Sequence, residues 1–211
     1  MSRRAASSRG QRAICPGSLG LLDEDRAMRI KFQLENVEAI SGPPTGGPGR
    51  RAANAGHIVL DMLHGNLDTL VQVLGVPESF TTSAVIGAER GSTVQAIFTY
   101  PDAIARVSGC SRMPQPYGSR GGYRATFTGG VLEYDFAAGF TGKVVSPVVH
   151  EYTDDGYREL PGEGSDAYTA MIDHLLACLR GEEVNQLAPS TVLDSLRLTL
   201  ELHEAVTRGE G

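Results

Sequence analysis

No apolar run approaches the roughly 18 residues that a helical membrane span requires, so no membrane partner is expected. Cysteine is sparse: Cys15, Cys110 and Cys178 are odd in number, far apart and outside any C-x-x-C pattern. Neither a disulfide framework nor a zinc knuckle follows from them, and reduced thiols in the cytoplasm are the expectation. Basic side chains are outnumbered, 19 against 25 acidic ones, for a net charge of -6, the wrong sign for a nucleic-acid partner. No 20–50-residue repeat is visible. No glycine-rich stretch continues into Gly-Lys-Ser/Thr or forms G-x-G-x-x-G, so no phosphate loop is expected.

What is present is globular: 41% hydrophobic and 21% charged residues in 211, enough for one well-buried domain. Residues 1–27 carry Arg3, Arg4, Arg9 and Arg12 among Ser, Ala and Gly and read as a flexible leader before a domain at 28–211. Apolar and polar residues alternate over 29–38, the mark of a half-buried strand. A Gly/Pro loop over 42–49 follows, either a surface crossover or a lid. The strongest helix is expected over 55–74, with Leu60, Leu63, Leu67, Leu70, Val71 and Leu74 on its core face and Gly75 as its stop. Strands are expected over 79–86, 93–100, 103–111, 123–128, 131–136 and 144–152. Two helices close the chain over 166–180 and 189–207. Their apolar stripes are Tyr168, Met171, Ile172, Leu175 and Leu179, then Val192, Leu193, Leu196 and Leu200. The order implies an α+β fold, an open, predominantly antiparallel β-sheet with helices packed on one face.

Chemistry concentrates on the first helix. His57, Asp61, His64 and Asp68 are spaced by four, three and four, which lines them along one helical face. An Asp beside a His orients the imidazole and favours its charged form, an acid–base arrangement. The same stripe also reads as a solvated outer face with surface ion pairs, and the spacing alone closes no metal shell. Tyr100 and Asp102 stand at a strand end, where a tight turn explains them equally well. Arg112, Tyr117, Arg120, Tyr123 and Arg124 flank a Gly/Pro loop and could grip a hydroxylated or anionic ligand. Alternation sends His150 and Tyr152 to one sheet face and Glu151 to the other. Lys143 reads as a surface lysine or a substituted proton donor, and His174 and His203 as packing residues within apolar stripes.

Three segments in order resemble the glucose–fructose oxidoreductase/inositol dehydrogenase/MocA family. Gly56, Asp61, Asp68, Leu74 and Gly75 match its helix, written G-G-x-L-x-D-x-G-x-H-x-x-D-x-L and later L-G. The run from Ala125 to Phe136, with Gly130, Leu132, Glu133, Tyr134 and Asp135, is similar to its G-x-L-E-Y-D-F hairpin. Cys178, Gly181, Pro189, Leu193, Asp194, Ser195 and His203 resemble its closing helices. The resemblance implies the substrate-side, C-terminal domain of such an enzyme without the Rossmann domain that precedes it in the family. The family's catalytic histidine falls on Gly65, and His64 stands one position earlier. One residue rotates a helical side chain by about 100°, which only a π-bulge or looser turn could offset.

Two classes of function follow. The first is an enzyme using Asp61, His64 and His57 as acid–base residues, with Asp68, Tyr100, Arg120, Tyr123 and His150 holding a small hydroxylated or ketonic substrate. Its chemistry would be cofactor-independent dehydration, isomerisation or cyclisation, or redox with NAD(P) supplied by a partner, because hydride transfer belongs to the cofactor. No cofactor or metal is expected on this chain alone. The second is a non-catalytic ligand-binding or dimerisation module, of the kind the resemblance offers in the galactose-regulon repressors. Both imply that the sheet's open face is covered, in a homodimer or by a separate Rossmann-domain protein.

Overall fold

The computed structural model describes residues 30–38, 54–86, 91–111, 120–137, 148–161, 167–185 and 187–208; for β1 and a few residues at element ends it describes the backbone alone. The expected leader and the loop over 42–49 lie outside the described residues. Eight strands form one sheet: β1 (Ile30–Glu38), β2 (Ser79–Val85), β3 (Thr93–Thr99), β4 (Ala103–Ser111), β5 (Arg120–Phe127), β6 (Gly130–Ala137), β7 (Val148–Thr153) and β8 (Gly156–Pro161). Their order is β2-β3-β4-β1-β5-β6-β7-β8. A meander of β2, β3 and β4 and a meander of β5 to β8 are each antiparallel throughout. β1 lies between them as the seam, parallel to β4 and antiparallel to β5. The open, predominantly antiparallel sheet is the one expected. The sequence reading omitted β8, although Asp154-Asp155-Gly156, with Gly156 at φ 128°, is a turn signal that glycine alone meets without strain.

Alternation assigns the faces. Val94, Ala96 and Phe98 of β3 and Ala105 and Val107 of β4 are buried beneath helices, while Ile97, Ile104 and Arg106 point to the open face. The helical layer consists of a π-helical stretch His57–Met62, helix α1 (His64–Leu74) and helix α3 (Pro189–Arg208), packed on one another and on the first strands. Helix α2 (Ala167–Leu179) leaves Met171, Ile172, Leu175, Leu176 and Leu179 exposed.

The expected single helix over 55–74 is divided at Leu63, whose amide donates to the Ile58 carbonyl at 2.9 Å, the i→i+5 bond of a π turn. The cause is visible in the burial pattern. Ile58, Met62, Asn66 and Leu70 repeat every four residues, as do Val59, Leu63, Leu67 and Val71, and all are buried. In an α-helix each four-residue step overshoots a turn by about 40°, so both rows would drift off the sheet. The wider turn holds them in line and turns Leu60 out to 43% exposure, against its expected place in the core.

The wide turn needs space beneath it, and Gly109 in β4 provides it. A Cβ there would lie 3.0 Å from Leu63 Cδ2 and 3.1 Å from Ile58 Cγ2, both on fully buried side chains. Gly109→Val is expected to destabilise the fold by about 1–3 kcal/mol through overpacking, read as a lower denaturant midpoint with an unchanged slope. An unshifted midpoint would show that the helix can lift away at no cost.

Candidate functional site

The π turn sets the geometry of the acid–base stripe. His57 and Asp61, also four apart, are brought side by side, with Nδ1 and Oδ2 3.2 Å from each other. The pair is open, with side-chain exposures of 32% and 76%, so solvent screens it and it adds little to stability. Its worth is chemical: a carboxylate that orients an imidazole is a proton-transfer unit wherever water is excluded from it.

His64 does not join that pair. Its Nδ1 lies 3.2 Å from Thr199 Oγ1 on α3, and Thr199 itself donates to the Ser195 carbonyl at 2.7 Å. A hydroxyl has one hydrogen, so Thr199 can only accept from His64, which places the proton on Nδ1. The ring is therefore clamped between α1 and α3. Sequence reasoning missed Thr199, although its position on a row with Ser195 and Leu202 was the available signal. That row is α3's buried face, whereas Val192, Leu193, Leu196 and Leu200, the stripe read from the sequence, are exposed.

A second group lies where α1 passes β5. Tyr123 hydrogen-bonds Thr69 and feels the Asp68 carboxylate; burial raises its hydroxyl most, the Asp68 charge raises it further, and Thr69 acts in the opposite direction. Its ring stacks on Tyr134 of β6 at 6.1 Å and 6°. Asp68 also accepts from Gln72 Nε2 at 2.5 Å. Two residues before Asp68, and so on another side of the helix, the amide of Asn66 is buried and its Nδ2 finds no hydrogen-bond partner among the described residues, a cost of about 1–3 kcal/mol. Asp68 and Tyr123 are thus brought together, with Thr69 and Tyr134 added by the structure.

The remaining candidates stand elsewhere. Tyr100 is in the core, with its hydroxyl donating to the Gly75 carbonyl at 3.3 Å, where it ties β3 to the end of α1. His150 lies on the open face, opposite to Tyr123. There its Nδ1 is 2.8 Å from Tyr157 Oη, which donates to Glu159 Oε1 at 2.6 Å. Glu151 points the other way, as alternation requires, and is buried against Arg158. Arg120 opens β5 opposite Val37 and Ala137, and only its backbone is described. Arg112, Tyr117 and Lys143 lie outside the described residues. A cleft of ≈ 440 Å³ beyond the end of α1, lined by Val76, Pro77, Glu78, Phe80, Arg197 and Glu201 among others, contains none of the sequence candidates. Among the described residues no cluster of metal-ligating side chains forms.

No protein-family description matches the sequence, and no curated protein matches it. Solved structures do. The UDP-N-acetylglucosamine 3-dehydrogenase GnnA from Acidithiobacillus ferrooxidans superposes with a TM-score of 0.63 at 14% identity, over 85% of this chain and 54% of that one. KijD10, a 3-ketoreductase from Actinomadura kijaniata solved with TDP-benzene and NADP, gives a TM-score of 0.57 at 20% identity, over 92% of this chain and 56% of that one. These neighbours are oxidoreductases of the glucose–fructose oxidoreductase/inositol dehydrogenase/MocA type. The chain has the fold of the part they share with it and spans little more than half the length of either.

Two phenols, the buried Tyr100 and the half-buried Tyr123, give a pH dependence with a definite sign. Burial pushes Tyr100 and Tyr123 above the ordinary tyrosine value of 10.0. Unfolding restores that value, so stability is complete below pH 10 and falls as pH rises past it towards the folded-state values. The denaturant midpoint is expected to be level near neutrality and to decline above about pH 10, less steeply in Tyr100→Phe. Parallel profiles for the two proteins would refute the assignment to Tyr100.

Proposed function

We propose that this chain is the substrate-side half of an oxidoreductase-type protein that acts on a small hydroxylated or ketonic compound, with His57–Asp61 as its proton-transfer pair. The observation that carries the reading is the 3.2 Å contact of that pair, on the helix where the resemblance puts the catalytic side chains. Asp61 orients the imidazole through Nδ1, and the pair gives or takes the substrate's proton. Tyr123, Thr69 and Asp68 offer hydroxyl and carboxylate groups to substrate hydroxyls, and the stacked Tyr123 and Tyr134 rings offer an apolar wall.

The described residues do not fit a dinucleotide cradle. Among them β1 and β4 are the one parallel strand pair, in an otherwise antiparallel sheet, whereas a dinucleotide cradle is built on parallel strands. Any hydride chemistry therefore draws its NAD(P) from another polypeptide or segment, and the chain by itself performs proton transfer of the isomerising, dehydrating or cyclising kind. A covering unit is also what the open pair requires. The unburied apolar stripes of α2 and α3 are where such a unit would rest.

The test is solvent exchange. A panel of small keto sugars is incubated with the protein in deuterium oxide, and loss of the C–H signal beside the carbonyl is followed by NMR. Exchange is expected for at least one compound, slowed about 10²–10⁴-fold in Asp61→Asn and His57→Gln. Exchange unaffected by either substitution would remove the pair from the mechanism. NADPH fluorescence run in parallel is expected to show no micromolar binding, and tight binding would overturn the cofactor reading alone.

The open sheet face supports a second copy as partner. Ile97, Ile104, Tyr152 and Tyr157 are exposed there; Arg124 and Glu133 pair with each other, while Arg106 on β4 and Glu159 on β8 stand on opposite sides of β1, a separation that a two-fold axis could make self-complementary. Sedimentation is expected to show twice the 22.4 kDa chain mass, and Ile104→Asp the single mass. A wild-type monomer at high concentration would rule the dimer out. Reduced thiols at Cys110 and Cys178, with no described helix long and apolar enough to cross a membrane, fit a cytoplasmic protein.

A further inference from the structure

The two edges of the sheet are built differently. β8, at one end, carries Arg158, Glu159 and Pro161, the charges and the missing amide that discourage a further strand from pairing. β2, at the other end, reads Ser-Phe-Thr-Thr-Ser-Ala-Val, with no charge and no proline. Its register with β3 runs from Ser79 opposite Thr99 to Val85 opposite Thr93 without a bulge, so nothing twists the strand away. Phe80 and Ala84 pack on the core and hold it in place. Among the described residues no element pairs with its outer side. Alternate N–H and C=O groups of β2 therefore face outward, a template for one more strand.

The cleft of ≈ 440 Å³ opens where β2 begins, with Ser79 and Phe80 on one side and Leu198 of α3 on the other. A strand added to β2 lies about 4.8 Å further out, and alternation sends every second side chain of it to the helical side, where the cleft is. The cleft selects what enters. Val76, Pro77, Phe80 and Leu198 suit an aliphatic stem. Asp194 and Arg197 neutralise each other at 3.0 Å, whereas Glu78 and Glu201 make no ion pair among the described residues. An apolar stem with a cationic end answers both conditions. A second copy pairing through its own β2 brings no cation, because that strand has none.

We propose that β2 is a docking edge for an extended segment of a partner protein, which joins the sheet as an added strand and places a lysine or arginine in the cleft. Backbone hydrogen bonds hold the segment, and Glu78 and Glu201 choose its register. The edge is separate from the open sheet face, so a copy seated on that face leaves it clear. It also uses neither His57 nor Asp61, and stands independently of the proton-transfer reading.

The probe is a blocked, fluorescein-labelled heptapeptide of alternating threonine and valine with lysine at its centre, beside versions with norleucine or glutamate there. Anisotropy is expected to show saturable binding of the lysine peptide to the full chain, about fivefold tighter than the norleucine peptide, with the glutamate peptide weakest. Hydrogen exchange read by mass spectrometry is expected to slow in β2 and not in β8. Full N-methylation of the peptide, which keeps its side chains and removes its donors, is expected to abolish binding. Glu78→Gln combined with Glu201→Gln is expected to erase the preference for lysine, while the norleucine peptide still protects β2, which reports an intact edge. Absence of saturable binding, binding that leaves exchange in β2 unchanged, or a lysine preference that survives the double substitution would overturn the proposal. Exchange in β2 that quickens when the peptide-free chain is diluted would give the edge to a second copy and overturn it as well.

Discussion

The close fit of Ile58 and Leu63 over Gly109, where a side chain would have no room, is the constraint on which the arrangement depends. It lets the π turn lie directly on β4, and the π turn in turn keeps two four-residue rows of side chains facing the sheet. The same turn brings His57 and Asp61 together and carries His64 round to Thr199. Hydrophobic packing, rather than any attraction between the polar groups, therefore dictates which of them meet. The ion pair is too exposed to organise a helix by itself, whereas the buried rows contribute roughly 1.5–3 kcal/mol for each large side chain.

The sheet was largely readable from alternation because a strand's period of two is unambiguous over seven or more residues, as in Thr93–Thr99 and Ala103–Ser111. Strand order was not, since nothing local to Ile30–Glu38 says that it will lie between β4 and β5. On the helices the limit was different. α3 carries two apolar rows, and the more strongly apolar one, Val192, Leu193, Leu196 and Leu200, is on the exposed side. Its buried face includes Ser195 and Thr199, which hydropathy discounts but whose hydroxyls donate to the Val192 and Ser195 carbonyls of the same helix. A helix with two apolar rows hides which of them its own chain covers.

The candidate site was legible in part for a related reason. His57, Asp61, His64 and Asp68 were visible as a row, but their distribution between two neighbours depends on a non-α turn that propensity does not signal. Tyr123 was identified beside a loop and meets Asp68 through the register of β5 under α1. Tyr100, at a strand end, and His150, on one face of a strand, were both expected to hold substrate. One is a tether in the core and the other part of a relay with Tyr157 and Glu159 on the far face.

The seam strand has a consequence for how the molecule is made. β1 is the earliest strand described, yet both of its neighbours come much later: Phe32 pairs with Ala105 on one side and Ala125 on the other. Two local hairpin systems can form early, but they cannot become a continuous sheet until this strand is captured between them. Loop closure of that span opposes the step entropically, and the waiting strand edges are sticky. Assembly of the sheet should thus lag behind that of its halves, leaving the newborn chain dependent on protection of those edges until β5 has left the ribosome.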